Sequence, residues 1–94
     1  MNFGTLQLRN SQVTNNQGRV TAQSGAVHGG GIWNVPFIDG QPAQLTLTNS
    51  LVKGNTLRGS PGLDVAGGGL FTAVPVTLQN SLIKNNTPDQ CYGC

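Results

Sequence analysis

The chain contains no glutamate, and its three aspartates, Asp39, Asp64 and Asp89, lie far apart in the sequence. Paired-carboxylate glycoside hydrolysis needs two acids facing one cleft. Lyase chemistry at a calcium ion needs clustered acids and a base to take the proton. Neither pattern is present. Charge of both signs is scarce: 9% of residues are charged, against about a quarter in an ordinary soluble domain. The five basic residues, Arg9, Arg19, Lys53, Arg58 and Lys84, are dispersed and the net charge is only +2. That is no footprint for nucleic acid. Apolar runs are a few residues long, so no membrane span is expected. Met1–Gly4 has no charged start leading into an apolar stretch, so no signal peptide is expected. The chain is then either an intracellular protein or a piece of a longer secreted one. No apolar stripe at i, i+3, i+4, i+7 is long enough for a helix.

What is abundant is glycine, 14 residues in 94, together with Asn, Gln, Thr and Ser. These are arranged in repeats. Leu6–Gln17 (LQLRNSQVTNNQ), Leu45–Thr56 (LTLTNSLVKGNT) and Val76–Thr87 (VTLQNSLIKNNT) align without gaps. Between them Gly29–Asn34 (GGGIWN) recurs as Gly67–Thr72 (GGGLFT). Variation is confined to the stretches 18–28, 35–44 and 57–66. Constant blocks joined by elastic loops are the signature of a repeat architecture.

Each block reads as extended chain. Leu6/Leu8, Leu45/Leu47 and Val76/Leu78 alternate with polar residues, which places them on one face of a strand. Strands are expected at 31–34, 45–48, 51–53, 69–72, 76–79 and 82–84. If each strand pairs in parallel with its equivalent in the next repeat, Leu47 lies over Leu78 and Val52 over Ile83. Asn10, Asn49 and Asn80 then form one internal amide ladder at a corner, and Asn16, Asn55 and Asn86 a second. The triple glycines fit bends that need a positive φ or a close backbone approach.

The alternation of GGGI-like and LTLTNSxxxxNT-like elements over residues 5–87 resembles repeats of bacterial cell-surface proteins with the pectin-lyase-like right-handed β-helix fold, among them adhesin-like and polymorphic outer-membrane-type sequences. The resemblance implies an all-β right-handed parallel β-helix of about three short coils, with little or no helix. It implies one domain over 1–94, with repeat blocks 6–17, 29–56 and 67–87 and a tail 88–94. A secreted or cell-surface location would accompany it. That group includes adhesins, polysaccharide lyases, hydrolases and inert spacers, so the resemblance speaks to fold more than to function.

Several residues invite chemistry and also have plainer readings. Cys91 and Cys94 form a C-x-x-C, which suits a disulfide or idle thiols at a frayed end, or a redox or zinc pair. No helix follows to stabilise a thiolate, and the four ligands of a zinc site are not available, so no metal or cofactor is assigned. His28 precedes the first triple glycine where Ala66 precedes the second, which makes it a corner residue rather than a base. Trp33 and Phe71 follow Ile32 and Leu70 at equivalent positions and would point outward, one above the other, as a surface for sugar rings or a partner. Alternatively loop 35–44, with Phe37 and Ile38, covers them. Asn85–Thr87 matches a glycosylation sequon but is explained by the repeat.

No catalytic residue is assigned. Three short coils would leave bare strand edges at both ends, so the expected partner is a second copy, as a dimer or end-to-end stack, or the rest of a longer β-helix. The expected function is a non-enzymatic structural or adhesin-like module. A carbohydrate-binding or polysaccharide-degrading module is the alternative, favoured if His28, Asp64 and Lys84 share a groove.

Overall fold

The protein is described here by a computed structural model covering residues 1–36 and 43–94. The described residues form an all-β fold of short strands with no helix. In chain order the strands are β1 (Thr5–Arg9), β2 (Gln12–Thr14), β3 (Gln17–Val20), β4 (Ala26–His28), β5 (Ile32–Asn34), β6 (Gln44–Thr48) and β7 (Leu51–Lys53). They continue as β8 (Thr56–Gly59), β9 (Asp64–Ala66), β10 (Leu70–Thr72), β11 (Val76–Gln79), β12 (Leu82–Lys84) and β13 (Cys91–Tyr92).

Every pairing between named strands is parallel, and each links a strand to its equivalent in the next repeat. β1, β6 and β11 form one sheet, β2, β7 and β12 a second, and β5, β10 and β13 a third, while β3 pairs β8 and β4 pairs β9. Asn2 bridges Asn34 and Thr87 bridges Thr56, adding single-residue rungs. The chain therefore passes through its sheets in a fixed order, and then begins again. We call Met1–His28 the first pass, the segment through β9 the second, and the remainder the third.

Register follows the repeat alignment. Leu6, Leu45 and Val76 form one column, Leu8, Leu47 and Leu78 another, and Val13, Val52 and Ile83 a third. Ile32, Leu70 and Cys91 form a fourth. The buried core is Ile32, Leu45, Leu47, Val52 and Leu70, with Leu6, Leu8, Val13, Val76, Ile83 and Cys91 packed against it half-covered. In the columns of the β1–β6–β11 and β2–β7–β12 sheets only the middle members, Leu45, Leu47 and Val52, are sealed, having a strand on both sides; Ile32 is sealed at the edge of its sheet, beside the Asn2–Asn34 bridge.

The expected strands appear within a residue of their expected bounds. β3, β4, β8 and β9 lie in the variable stretches and have little alternation to reveal them: QGRV and TLRG each carry a single inward apolar position or none. β13 falls in the tail, which is paired with Leu70 and Phe71 rather than frayed.

Candidate functional site

The corners between strands explain the asparagines, and correct one expectation. Asn10, Asn49 and Asn80 adopt left-handed backbone with φ of 50°, 49° and 49° and are exposed. They do not form an internal ladder. Asparagine tolerates this conformation better than other non-glycine residues, and the left-handed turn carries the following side chain inward. The ladder at this corner is made of serine: the Ser11 amide donates to Ser50 Oγ at 3.2 Å, and the Ser50 amide to Ser81 Oγ at 3.0 Å. The second corner uses the same device one strand later. Asn15, Gly54 and Asn85 take the left-handed turn, and Asn16, Asn55 and Asn86 follow them in contact. Asn16 Nδ2 donates to Asn55 Oδ1 at 2.8 Å and Asn55 Nδ2 to Asn86 Oδ1 at 2.9 Å, with both backbone amides donating to the same oxygens. Asn55 and Asn86 are almost wholly buried, so these bonds meet the requirement that buried polar groups be paired.

A third ladder was not legible as such in the sequence. Asn2 Nδ2 donates to Asn34 Oδ1 at 2.8 Å, and Asn34 Nδ2 donates to Thr72 Oγ1 at 3.1 Å. The last residues of GGGIWN and GGGLFT are thus inward polar positions. Their signal is a polar residue two places after an inward apolar one.

The triple glycines serve these ladders. The first of each, Gly29 and Gly67, has φ of 76° and 74°. The third of each lies under a ladder asparagine: a Cβ on Gly31 would come within 2.9 Å of Asn55 Nδ2, and one on Gly69 within 2.6 Å of Asn86 Nδ2. Glycine block and asparagine block, some 20 residues apart in sequence, are therefore one structural unit.

Trp33 and Phe71 pair in register and are both half-buried. Phe71 is stacked between two rings, His28 at 4.0 Å and Tyr92 at 5.1 Å between centroids, with interplanar angles of 7° and 1°. Trp33 meets Phe3 edge-on at 5.7 Å, and its buried Nε1 has no hydrogen-bond partner among the described residues. Tyr92, 54% exposed, extends the aromatic face beyond the two rings identified from the repeat. The expectation that loop 35–44 covers this face, and the positions of Phe37, Ile38 and Asp39, lie largely outside the described residues.

His28 sits in β4, Asp64 in β9 and Lys84 in β12, so the first two share a sheet while Lys84 belongs to another. Among the described residues no group of three or more His, Cys, Asp or Glu is arranged to hold a metal ion. Among the described residues no helix is long and apolar enough to cross a membrane.

The tail ends in a Cys91–Cys94 disulfide and docks on the third pass. Asp89 Oδ1 accepts from the Gly67 and Gly68 amides at 2.7 and 2.8 Å. Gln90 Oε1 accepts from the Asn86 amide at 2.9 Å and from Asn86 Nδ2 at 3.3 Å, while Gln90 Nε2 donates to Asn86 O at 3.1 Å. The Leu70 amide donates to Gln90 O as the Ile32 amide donates to Gly69 O. Asp89-Gln90-Cys91-Tyr92 therefore stands where Gly-Gly-Leu-Phe would stand in a further repeat. The order apolar then aromatic, Cys91-Tyr92 after Ile32-Trp33 and Leu70-Phe71, is the signal that sequence reading passed over.

Compared with protein-family profiles, curated proteins and solved structures, the chain matches none of them.

Proposed function

We propose that the sheets are the faces of a right-handed parallel β-helix of about three coils, of the pectin-lyase-like, adhesin-like kind, and that the chain is a non-enzymatic structural module associating with copies of itself through its coil ends. The observation that carries this reading is the pass-to-pass register, in which columns and ladders run through the molecule and, along β11 and β12, stop at uncovered edges. Leu78 and Leu82 on the last full strands are 45% and 58% exposed, and unpaired edges of this kind recruit further strands. The scattered acids leave catalysis without a constellation.

The test is mean mass by light scattering from micromolar to millimolar concentration. A mass that rises with concentration supports association through the ends. A single-chain mass at every concentration counts against it.

A second reading rests on one observation, the parallel His28–Phe71–Tyr92 stack with Tyr92 exposed at its end. Such a face suits the flat side of a sugar ring. Titration with soluble oligosaccharides while following Trp33 fluorescence checks it, and unchanged emission across neutral and acidic glycans would remove it.

A further inference from the structure

The ladders all have one direction. In each, the donor belongs to the earlier pass and the acceptor to the later: Asn2 to Asn34 to Thr72, Ser11 to Ser50 to Ser81, and Asn16 to Asn55 to Asn86. The two ends of the molecule are therefore unlike. The first-pass end presents acceptors, Asn16 Oδ1 and Ser11 Oγ, with no donor to them among the described residues. The third-pass end presents donors, the amides of Ser81, Gly67 and Gly68 and the amide and Nδ2 of Asn86. Joining two first-pass ends would set acceptor against acceptor, and joining two third-pass ends donor against donor. Joining unlike ends continues the serine and asparagine ladders.

The tail already occupies part of that surface. Gln90 Oε1 receives the two Asn86 donors that the Asn16 Oδ1 of a following pass would receive. Asp89 takes the Gly67 and Gly68 amides. Gly93 lies against Thr72, the position that a following Asn2 would bridge. The serine corner is left open.

We propose that the third-pass end is a docking surface for the first-pass end of a second copy, joined head to tail, and that residues 88–94 shut it in cis by imitating the edge of that copy. This rests on the self-association reading and supplies its polarity and its control. Heterologous contacts of this kind do not close on themselves, so without a stop they propagate. The cross-section, 37 by 32 Å, is of the order of the roughly 800 Å² that each partner contributes to a stable interface.

The experiment compares mean mass against concentration for the intact chain, for Asp89→Ala/Gln90→Ala, and for a chain ending at Thr87, with circular dichroism to confirm that each is folded. The double substitution keeps the test valid if the shortened chain does not fold. The uncapped variants are expected to rise above single-chain mass at concentrations about tenfold or more below the intact chain, the factor one hydrogen bond to an otherwise unmatched group is worth. Adding Asn16→Ala to the double substitution is expected to reverse most of that shift, because the incoming acceptor is gone. Identical curves for intact and uncapped chains overturn the cap, and if both rise together the self-association reading stands without it. A shift that survives Asn16→Ala overturns the head-to-tail polarity. An intact chain that stays single while the uncapped chains associate supports the cap and removes self-association by the intact protein. Single-chain mass for all of them overturns both.

Discussion

Leu47 and Leu78 occupy the same position of the same repeat and pair in register, yet Leu47 is fully buried and Leu78 is 45% exposed. Asn55 and Asn16 make the same contrast: Asn55 is sealed between Asn16 and Asn86, while Asn16 lies at the surface. The repeat specifies where a side chain points. Neighbouring passes specify whether water reaches it. A residue's energetic weight here follows its rank in the stack, and the ends hold the groups left with unmet bonding capacity.

The largest effect that would sharpen this contrast is in the leucine column. Leu47→Ala is expected to cost about 2–5 kcal/mol, the range for an enclosed cavity. Leu78→Ala should cost less than about 1 kcal/mol, since an exposed site relaxes and loses little buried area. Urea unfolding of the pair measures both, and equal midpoints would show that end and middle are not distinct. Gly69→Ala comes next, at about 1–3 kcal/mol, because its Cβ would sit 2.5 Å from the Gln90 carbonyl oxygen and 2.6 Å from Asn86 Nδ2. Gly4→Ala is the control, with nothing within 4 Å of the added carbon.

In the asparagine ladder, Asn55→Ala removes the acceptor of the Asn16 amide and side chain and the donor to Val13 O and is expected to cost about 1–3 kcal/mol. Asn16→Ala should cost a few tenths by the same reasoning, since water replaces its bonds at the surface. Hydrogen exchange at the Asn16 and Asn55 amides, followed in each variant, reports whether the loss stays local. The smallest effect is at the left-handed corner. Asn49→Ala should cost about 1 kcal/mol for placing an alanine at φ 49°, and Asn49→Gly close to nothing. A glycine as damaging as alanine would mean that the Asn49 side chain, not its backbone, is what the corner needs.

Much of the fold was legible because strand periodicity and repeat alignment are local signals. The alternation at Leu45-Thr46-Leu47 identifies its own inward face, and the gapless alignment then predicts every column in the three aligned blocks. The roles of Asn10, Asn49 and Asn80 were not legible. An asparagine that turns the backbone and one that bonds a neighbour look alike in sequence, and only φ and burial separate them. The tail was obscured for a different reason. Asp89 and Gln90 stand in place of glycines, so the resemblance of Cys91-Tyr92 to Leu70-Phe71 is hidden by the change of flanking residues. The aromatic face was half legible: repeat position named Trp33 and Phe71, while His28 and Tyr92 joined them through passes that the sequence does not place side by side.

By itself the sequence determined the strand faces, the positions of the turns and the correspondence between repeats, because each of these depends on residues within a few places of one another. Tertiary structure alone decided which corner residue turns inward, which leucine is sealed, and that Asp89 takes the amides of the second triple glycine. Those outcomes depend on hydrogen bonds and packing between passes 20 to 40 residues apart, where direction and rank in the stack exist only once the passes lie on one another.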